Sequence, residues 1–210
     1  MKKTVALIIV AVVFVGWTLY NLVTGIAGLS KSGISQLSRY PEVGTRCEVY
    51  VDFANESYTV NHSLNYLIPT GAEHFYFAIS EDGAVPLLIK ASQSWYDKNF
   101  DKDGFAKDTV TLVCEVGKFD SDSRFKIGEL NRDLSSIGES VSTEKYLNAN
   151  YRTMYVFRVI TGAVSIAAVA AIFGLLKLGL RSGKAATALT IFIISAVLFC
   201  IADMLVLEHL

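Results

Sequence analysis

The chain reads as a membrane α-helical protein with three transmembrane helices and one small all-β or β-rich domain. Three observations predict this. Uncharged runs stand at residues 4–30, 159–176 and 185–202. The stretch between the first two is polar, and its apolar residues fall into a period of two. That stretch (residues 30–153) is also acidic, with 13 Lys and Arg against 18 Asp and Glu, in a chain whose net charge is only −1.

The first run holds 27 uncharged positions, and a bilayer core needs only about 20 helical ones. Lys2 and Lys3 precede it, as in a secretory signal peptide, but such a leader has an apolar region of only about 7–15 residues. An uncleaved signal-anchor over residues 1–27 is therefore expected, with cleavage near Gly25-Ile26-Ala27 as the alternative. A second span is expected over residues 154–177 and a third over 185–207. Residues 178–184 are too few for anything but a tight cytoplasmic loop. Lys2 and Lys3 fall on the same side of the membrane as Lys177, Arg181 and Lys184, and the excess of Lys and Arg marks that side as cytoplasmic. The expected location is the plasma membrane, multi-pass, with the β domain and the C-terminus extracytoplasmic. Trp17, Tyr20, Tyr151 and Tyr155 then form the outer aromatic belt, and Arg158, about one turn inside the second span, is expected to snorkel to the interface.

Small residues mark helix contacts in lipid, because they let backbones approach closely. Ala163, Ala167 and Ala171 repeat every four residues, with Gly174 beyond them. This face is expected to pack on the third span, or to dock a partner subunit.

Residues 28–46 read as a Gly- and Ser-rich linker with one short helical turn. The β domain is expected over residues 47–127. Cys47 to Phe53 alternates as a half-buried strand does. Tyr58 to His62, Tyr66 to Pro69, Glu73 to Ile79, Val85 to Ala91 and Thr109 to Val116 are further strand candidates, and Ser123 to Ile127 a last one. Glu81-Asp82-Gly83 is a hairpin signal. Many short strands close best into a small barrel, which removes exposed edges. An OB-like barrel is the first expectation and a small sandwich the second. Residues 128–153 read as a helical connector: a helix over Glu129–Ile137 stopped by Gly138, then one capped by Ser142 with Glu144 in its first turn, running on into the second span.

The one ligand-like cluster is the acidic turn Asp97-Lys98-Asn99-Phe100-Asp101-Lys102-Asp103-Gly104. Asn99, Asp101, Asp103 and Gly104 match the start of a calcium loop. Val110 stands where the bidentate Glu belongs, so Asp97, Asn99, Asp101 and Asp103 are at most a weak calcium site and no other cofactor is expected. His62 and His74 lack a third ligand for zinc. Cys47 and Cys114 both fall on inward strand positions, either as a disulfide or as buried thiols. Trp95, Tyr96, Phe100 and Phe105 line a groove or close one end of the barrel. No nucleophile elbow, Walker loop, dinucleotide fingerprint or zincin helix is present, so no enzyme is expected. The acidic balance excludes nucleic acid as the main ligand.

Tyr66-Leu67-Ile68-Pro69 and the aromatic strand ending at Ile79 resemble a group of uncharacterised bacterial membrane proteins of the Gram-positive type, built from a signal-anchor, a small extracytoplasmic β domain and a C-terminal transmembrane hairpin. The resemblance implies a bacterial plasma membrane and no particular activity. The expected role is a membrane-anchored binding or protein-protein interaction module, an accessory subunit whose partners are the lipid bilayer and another membrane protein or a second copy. The alternative is a ligand or cation sensor using the acidic turn.

Overall fold

The structure is a computed structural model that describes residues 2–38, 41–64, 68–80 and 83–182. In chain order the elements are α1 (Lys2–Ser30), β1 (Ser35–Gln36), β2 (Arg46–Leu64), β3 (Ile68–Ser80), β4 (Gly83–Ala84), β5 (Leu88–Ala91), α2 (Gln93–Asn99), β6 (Phe105–Lys118), α3 (Ser121–Ser135), β7 (Lys145–Asn148) and α4 (Tyr151–Ser182). They fall into two units: a helical one with α1 and α4, and a β-rich one spanning residues 32–151.

The strands form one mixed sheet. β2, β6, β7, β5 and β3 lie side by side in that order, and β3 returns to pair with β2, so these five close into a ring. β1 and β4 extend it at β2 and β3. Every pairing within the ring is antiparallel except β5 with β7, which is parallel. Closure depends on β2, which serves two partners. Its first residues, Arg46–Val51, pair with β6, Phe53 pairs with both β6 and β3, and beyond it β2 pairs with β3. Irregularities between Val51 and Phe53 and between Glu56 and Tyr58 supply the bend, since an extra residue in one strand kinks it and raises its twist.

Two apolar layers result. Inside the ring stand Val49, Val51, Tyr76, Ile89, Val116 and Leu147, the inward half of each alternation. Outside it, Ile127 and Leu134 of α3 cover Phe75, Phe77 and Leu88. β3 is thus buried on both faces from Phe75 to Ala78, which is why Phe75-Tyr76-Phe77-Ala78 shows no solvent-facing side. Each large apolar side chain so buried contributes roughly 1.5–3 kcal/mol.

Several sequence expectations are corrected here. The two strands expected around residues 47–62 are one bent strand. In the linker over residues 28–46, α1 runs on to Ser30, and Ser35–Gln36 is a short parallel strand against Cys47 and Glu48. Ser123–Ile127 is helix. Asp120 caps it by accepting from Ser123 N at 2.7 Å, and Ile127, Leu130 and Leu134 keep a helical spacing that outweighs the local alternation. The helical connector over residues 128–153 is helical in its first part, where α3 runs to Ser135 ahead of Gly138 at φ +80°, but its later part supplies β7, the strand between β5 and β6. Ser142 accepts from Glu144 N and Lys145 N, both at 3.2 Å. That is the chemistry of a cap used in a turn, without a helix behind it. The β-rich unit therefore extends about twenty residues past 127.

In the helical unit, Val12–Ser30 is long and apolar enough to cross a membrane. Small residues bring α1 against α4. A Cβ at Gly28 would run into the Tyr155 ring, one at Gly25 would meet Val159 Cγ2 at 2.8 Å, and one at Gly162 would meet Leu22 Cβ at 3.0 Å. The third span (residues 185–207), most of the Glu81-Asp82-Gly83 turn, and Tyr66 and Leu67 lie outside the described residues.

Candidate functional site

The densest chemistry in the β-rich unit gathers around Tyr76. Ser92 starts α2 by accepting from Trp95 N at 3.2 Å, and this short helix directs Trp95 and Tyr96 onto the ring interior. Tyr76 is 0% exposed. Its ring stacks on Tyr96 at 4.8 Å and 9°, and Tyr96 stacks on Phe100 at 5.4 Å. Trp95 lies edge-on to Phe100 and to Tyr76. Each such pair adds about 0.5–1.5 kcal/mol beyond area burial. The Tyr76 hydroxyl donates to Gln93 Oε1 at 3.1 Å. Burial, and then the negative charge of Glu56 and Asp97, hold the Tyr76 phenol far above its ordinary range, and burial followed by Asp101 and Asp97 raises Tyr96 as well. Both phenols are therefore neutral donors at any physiological pH. Of the four aromatics singled out in the sequence, Trp95, Tyr96 and Phe100 pack into the barrel. Phe105 does not: it is 59% exposed and lies edge-on to Phe53.

Beside Tyr76 stands a polar group that the sequence did not point to. Thr59 and His74 are register partners on β2 and β3, and Glu56 pairs with Tyr76. The Glu56 carboxylate accepts from His74 Nδ1 at 2.7 Å and from the Thr59 hydroxyl. The Thr59 bond, followed by the His74 bond, lowers the Glu56 carboxyl below its ordinary value. A carboxylate, an imidazole and a hydroxyl in contact resemble a hydrolytic triad, but the connectivity is wrong. Thr59 Oγ1 stands 3.4 Å from the same nitrogen that Glu56 holds, whereas a nucleophile must face the other one. The group is an anchor for the β2–β3 pairing, half open to solvent. Its signal was present in principle, since a Glu three residues before a Thr on one strand met a His on the next, but it needed the register.

The acidic turn is built for its own closure. Asp101 Oδ1 accepts from Asp103 N and Phe105 N, both at 2.9 Å. Gly104 has φ +88°, and a Cβ there would stand 2.7 Å from Ala54 O. The Asp-Gly pattern is thus explained by a turn that brings β6 alongside β2. Asp97 Oδ1 accepts from Gln93 Nε2 at 2.9 Å, and Asn99 Nδ2 donates to Trp95 O at 2.7 Å. Among the described residues, no group of three or more His, Cys, Asp or Glu side chains is placed to hold a metal ion. His62 lies on β2 opposite Gly71, away from the Thr59–His74 pair. Cys47 and Cys114 are buried free thiols directly opposite each other on β2 and β6.

A cleft of about 580 Å³ lies by Pro41, Pro86, Val141 and Lys145. Its polar groups serve the protein itself: Lys145 Nζ donates to Pro41 O at 2.8 Å, and the Asn131 amide bonds both backbone groups of Val141.

In the helical unit, Arg158 Nη1 donates to Thr24 Oγ1 at 3.1 Å, and the guanidinium lies 5.8 Å from the Tyr20 ring centroid. The Arg158 Nε and Thr18 Oγ1 atoms are buried without a hydrogen-bond partner among the described residues. A cavity of about 230 Å³ opens beside Thr18, walled by Val15, Leu19, Ile166 and Ala170. α4 turns Thr161, Gly162 and Ser165 inward. The small residues singled out in the sequence lie elsewhere on it. Ala163, Ala167 and Gly174 are exposed, and a Cβ at Gly174 would meet nothing within 4 Å. Ala171 lies on α4 between them.

No family model matches this chain, and neither a curated protein nor a solved structure matches it.

Proposed function

We propose that this chain is a membrane-anchored, extracytoplasmic binding module that serves as an accessory subunit of a membrane complex. The observation that carries this reading is the bare small-residue face of α4. Gly25, Gly28 and Gly162 already provide the close approach of α1 to α4. Ala163, Ala167 and Gly174 are exposed, with no described residue covering them, and small residues on a lipid-embedded helix are favoured where another helix packs.

The three-span topology with a cytoplasmic N-terminus belongs to this proposal. It rests on the three uncharged runs and on the placement of Lys2, Lys3, Lys177, Arg181 and Lys184. So does the OB-like reading of the barrel. Counted within the ring alone, β2, β3, β5, β6 and β7 stand in the order 1-2-3-5-4 and return to 1, with the third and fifth parallel. That is the Greek-key order of a five-stranded OB barrel. Such a barrel usually offers the face of its second and third strands to an oligonucleotide or oligosaccharide. Here α3 lies on the outer side of those strands, over Phe75, Phe77 and Leu88. With that face filled by the chain itself and a net negative domain, a protein partner fits better than a polyanion.

The test is in-membrane crosslinking of tagged protein at native expression, followed by mass spectrometry of what co-purifies. One stoichiometric membrane protein is the expected result. A chain that crosslinks to nothing and sizes as a strict monomer after mild extraction overturns the proposal.

A further inference from the structure

We propose that Cys47 and Cys114 form an intramolecular disulfide across the β2–β6 seam of the ring, made by thiol–disulfide exchange with an alkyl disulfide such as oxidised glutathione. Cys47 and Cys114 are direct partners in an antiparallel ladder, flanked in step by Arg46 with Glu115 and Glu48 with Val113. Direct partners put their side chains on the same face, with Cα atoms about 4.5–5.5 Å apart. A disulfide spans Cα separations of about 4.4–6.8 Å. Both side chains point into the ring interior, 1% and 0% exposed, so no rotation out of the core is needed to bring the sulfurs together. The seam is also one where a covalent link matters, since β2 is the strand that must hold both β6 and β3 for the ring to close.

The exchange balances simply. One protein thiolate attacks a sulfur of the small disulfide and expels one alkyl thiolate, leaving a mixed disulfide. The second protein thiolate then attacks the protein-side sulfur and expels the other. Two protein thiols lose two protons and two electrons, and the small disulfide leaves as two thiols.

Burial sets when this happens. In the folded domain it pushes the Cys47 thiol up to about 11 and the Cys114 thiol well above its ordinary value, so little thiolate is present and the folded, reduced pair is inert. Exchange belongs to the interval before β6 closes on β2. The bond therefore records the redox conditions under which the domain folded. Its chemistry does not depend on which side of the membrane the domain occupies.

The test uses the full-length, detergent-solubilised, reduced protein. It is held in oxidised glutathione at a urea concentration inside the unfolding transition of the β domain, then diluted back. Remaining thiols are blocked with N-ethylmaleimide, and the digest is read by mass spectrometry. The expected product is a peptide pair linked through Cys47 and Cys114, two hydrogens lighter than the reduced pair. A parallel sample without urea should react at least tenfold more slowly. Cys114→Ala, exposed to the same conditions, should stop with one glutathione on Cys47, which shows the first step whether or not that variant refolds. The proposal is overturned if wild-type Cys47 and Cys114 remain maleimide-labelled, carry separate glutathiones, or link only to Cys200 or to a second chain.

Discussion

The two units treat buried polar groups in opposite ways. In the β-rich unit they are matched. Lys90, 6% exposed, donates to Glu73 at 2.6 Å. Arg46 pairs with Glu115 at 3.4 Å and lies over the Tyr151 ring. Tyr76 has Gln93, and Asn131 has Val141. In the helical unit, Thr18 Oγ1 and Arg158 Nε are buried and unmatched among the described residues, and Thr18 lies beside an apolar cavity. A domain whose buried donors all have acceptors is complete in itself. The α1–α4 pair leaves buried polar atoms unmatched among the described residues, which costs it free energy that the β-rich unit does not lose.

That contrast can be broken at its strong end first. Lys90→Met leaves the Glu73 carboxylate buried without its cation and is expected to cost about 3–5 kcal/mol. Urea unfolding should show it, and adding Glu73→Leu to Lys90→Met should recover most of the loss. If the double variant is no better than the single one, the pair is not the matched unit described here. Tyr76→Phe keeps the stack on Tyr96 and removes only the bond to Gln93, for a loss of about 1 kcal/mol.

Glu56 gives a smaller, pH-dependent effect. Its carboxyl is held below its ordinary 4.5 by Thr59 and His74. A depressed carboxyl stabilises the folded state above that value, and the stabilisation is lost as pH falls through the folded value. Glu56→Gln should therefore flatten the acid limb of stability below pH 4.5. An unaltered acid limb contradicts the assignment.

Thr18→Val sits at the other end. It replaces an unmatched hydroxyl with an isosteric methyl, so the stability of the isolated protein should move by less than about 0.5 kcal/mol in either direction. Capture of the membrane partner should fall if Thr18 serves it. A loss of several kcal/mol in the isolated chain would mean that Thr18 already has its partner within this molecule.

Much of this was legible in the sequence where one physical pattern ruled. Cys47 to Phe53 and Thr109 to Val116 alternate because one face of each meets the ring interior. Thr4 to Ser30 is unmistakable because nothing charged interrupts it. The failures came where two patterns competed or none had room. Ser123-Arg124-Phe125-Lys126-Ile127 alternates, yet Phe125 is left 69% exposed, because the Asp120 cap and the Ile127–Leu130–Leu134 spacing favour helix. β7 has only four residues, too few for a period to show, and the Ser142 turn beside it imitates a helix start. The acidic turn drew attention as a cation loop because turn closure and calcium binding use the same residues, Asp and Gly. The Glu56–Thr59–His74 group stayed hidden because it exists only in the register of β2 on β3. On α1, the close approach of Gly25 and Gly28 to α4 needed the packed helices to show.

The most direct test of the central claim places a photo-crosslinking amino acid at Ala163 or Ala167, with Val23 on the exposed side of α1 as the reference, in cells at native expression. The account predicts a discrete adduct with one other membrane protein from both α4 positions and none of that size from Val23. Adducts confined to lipid or to this chain itself, at all three positions, would contradict it.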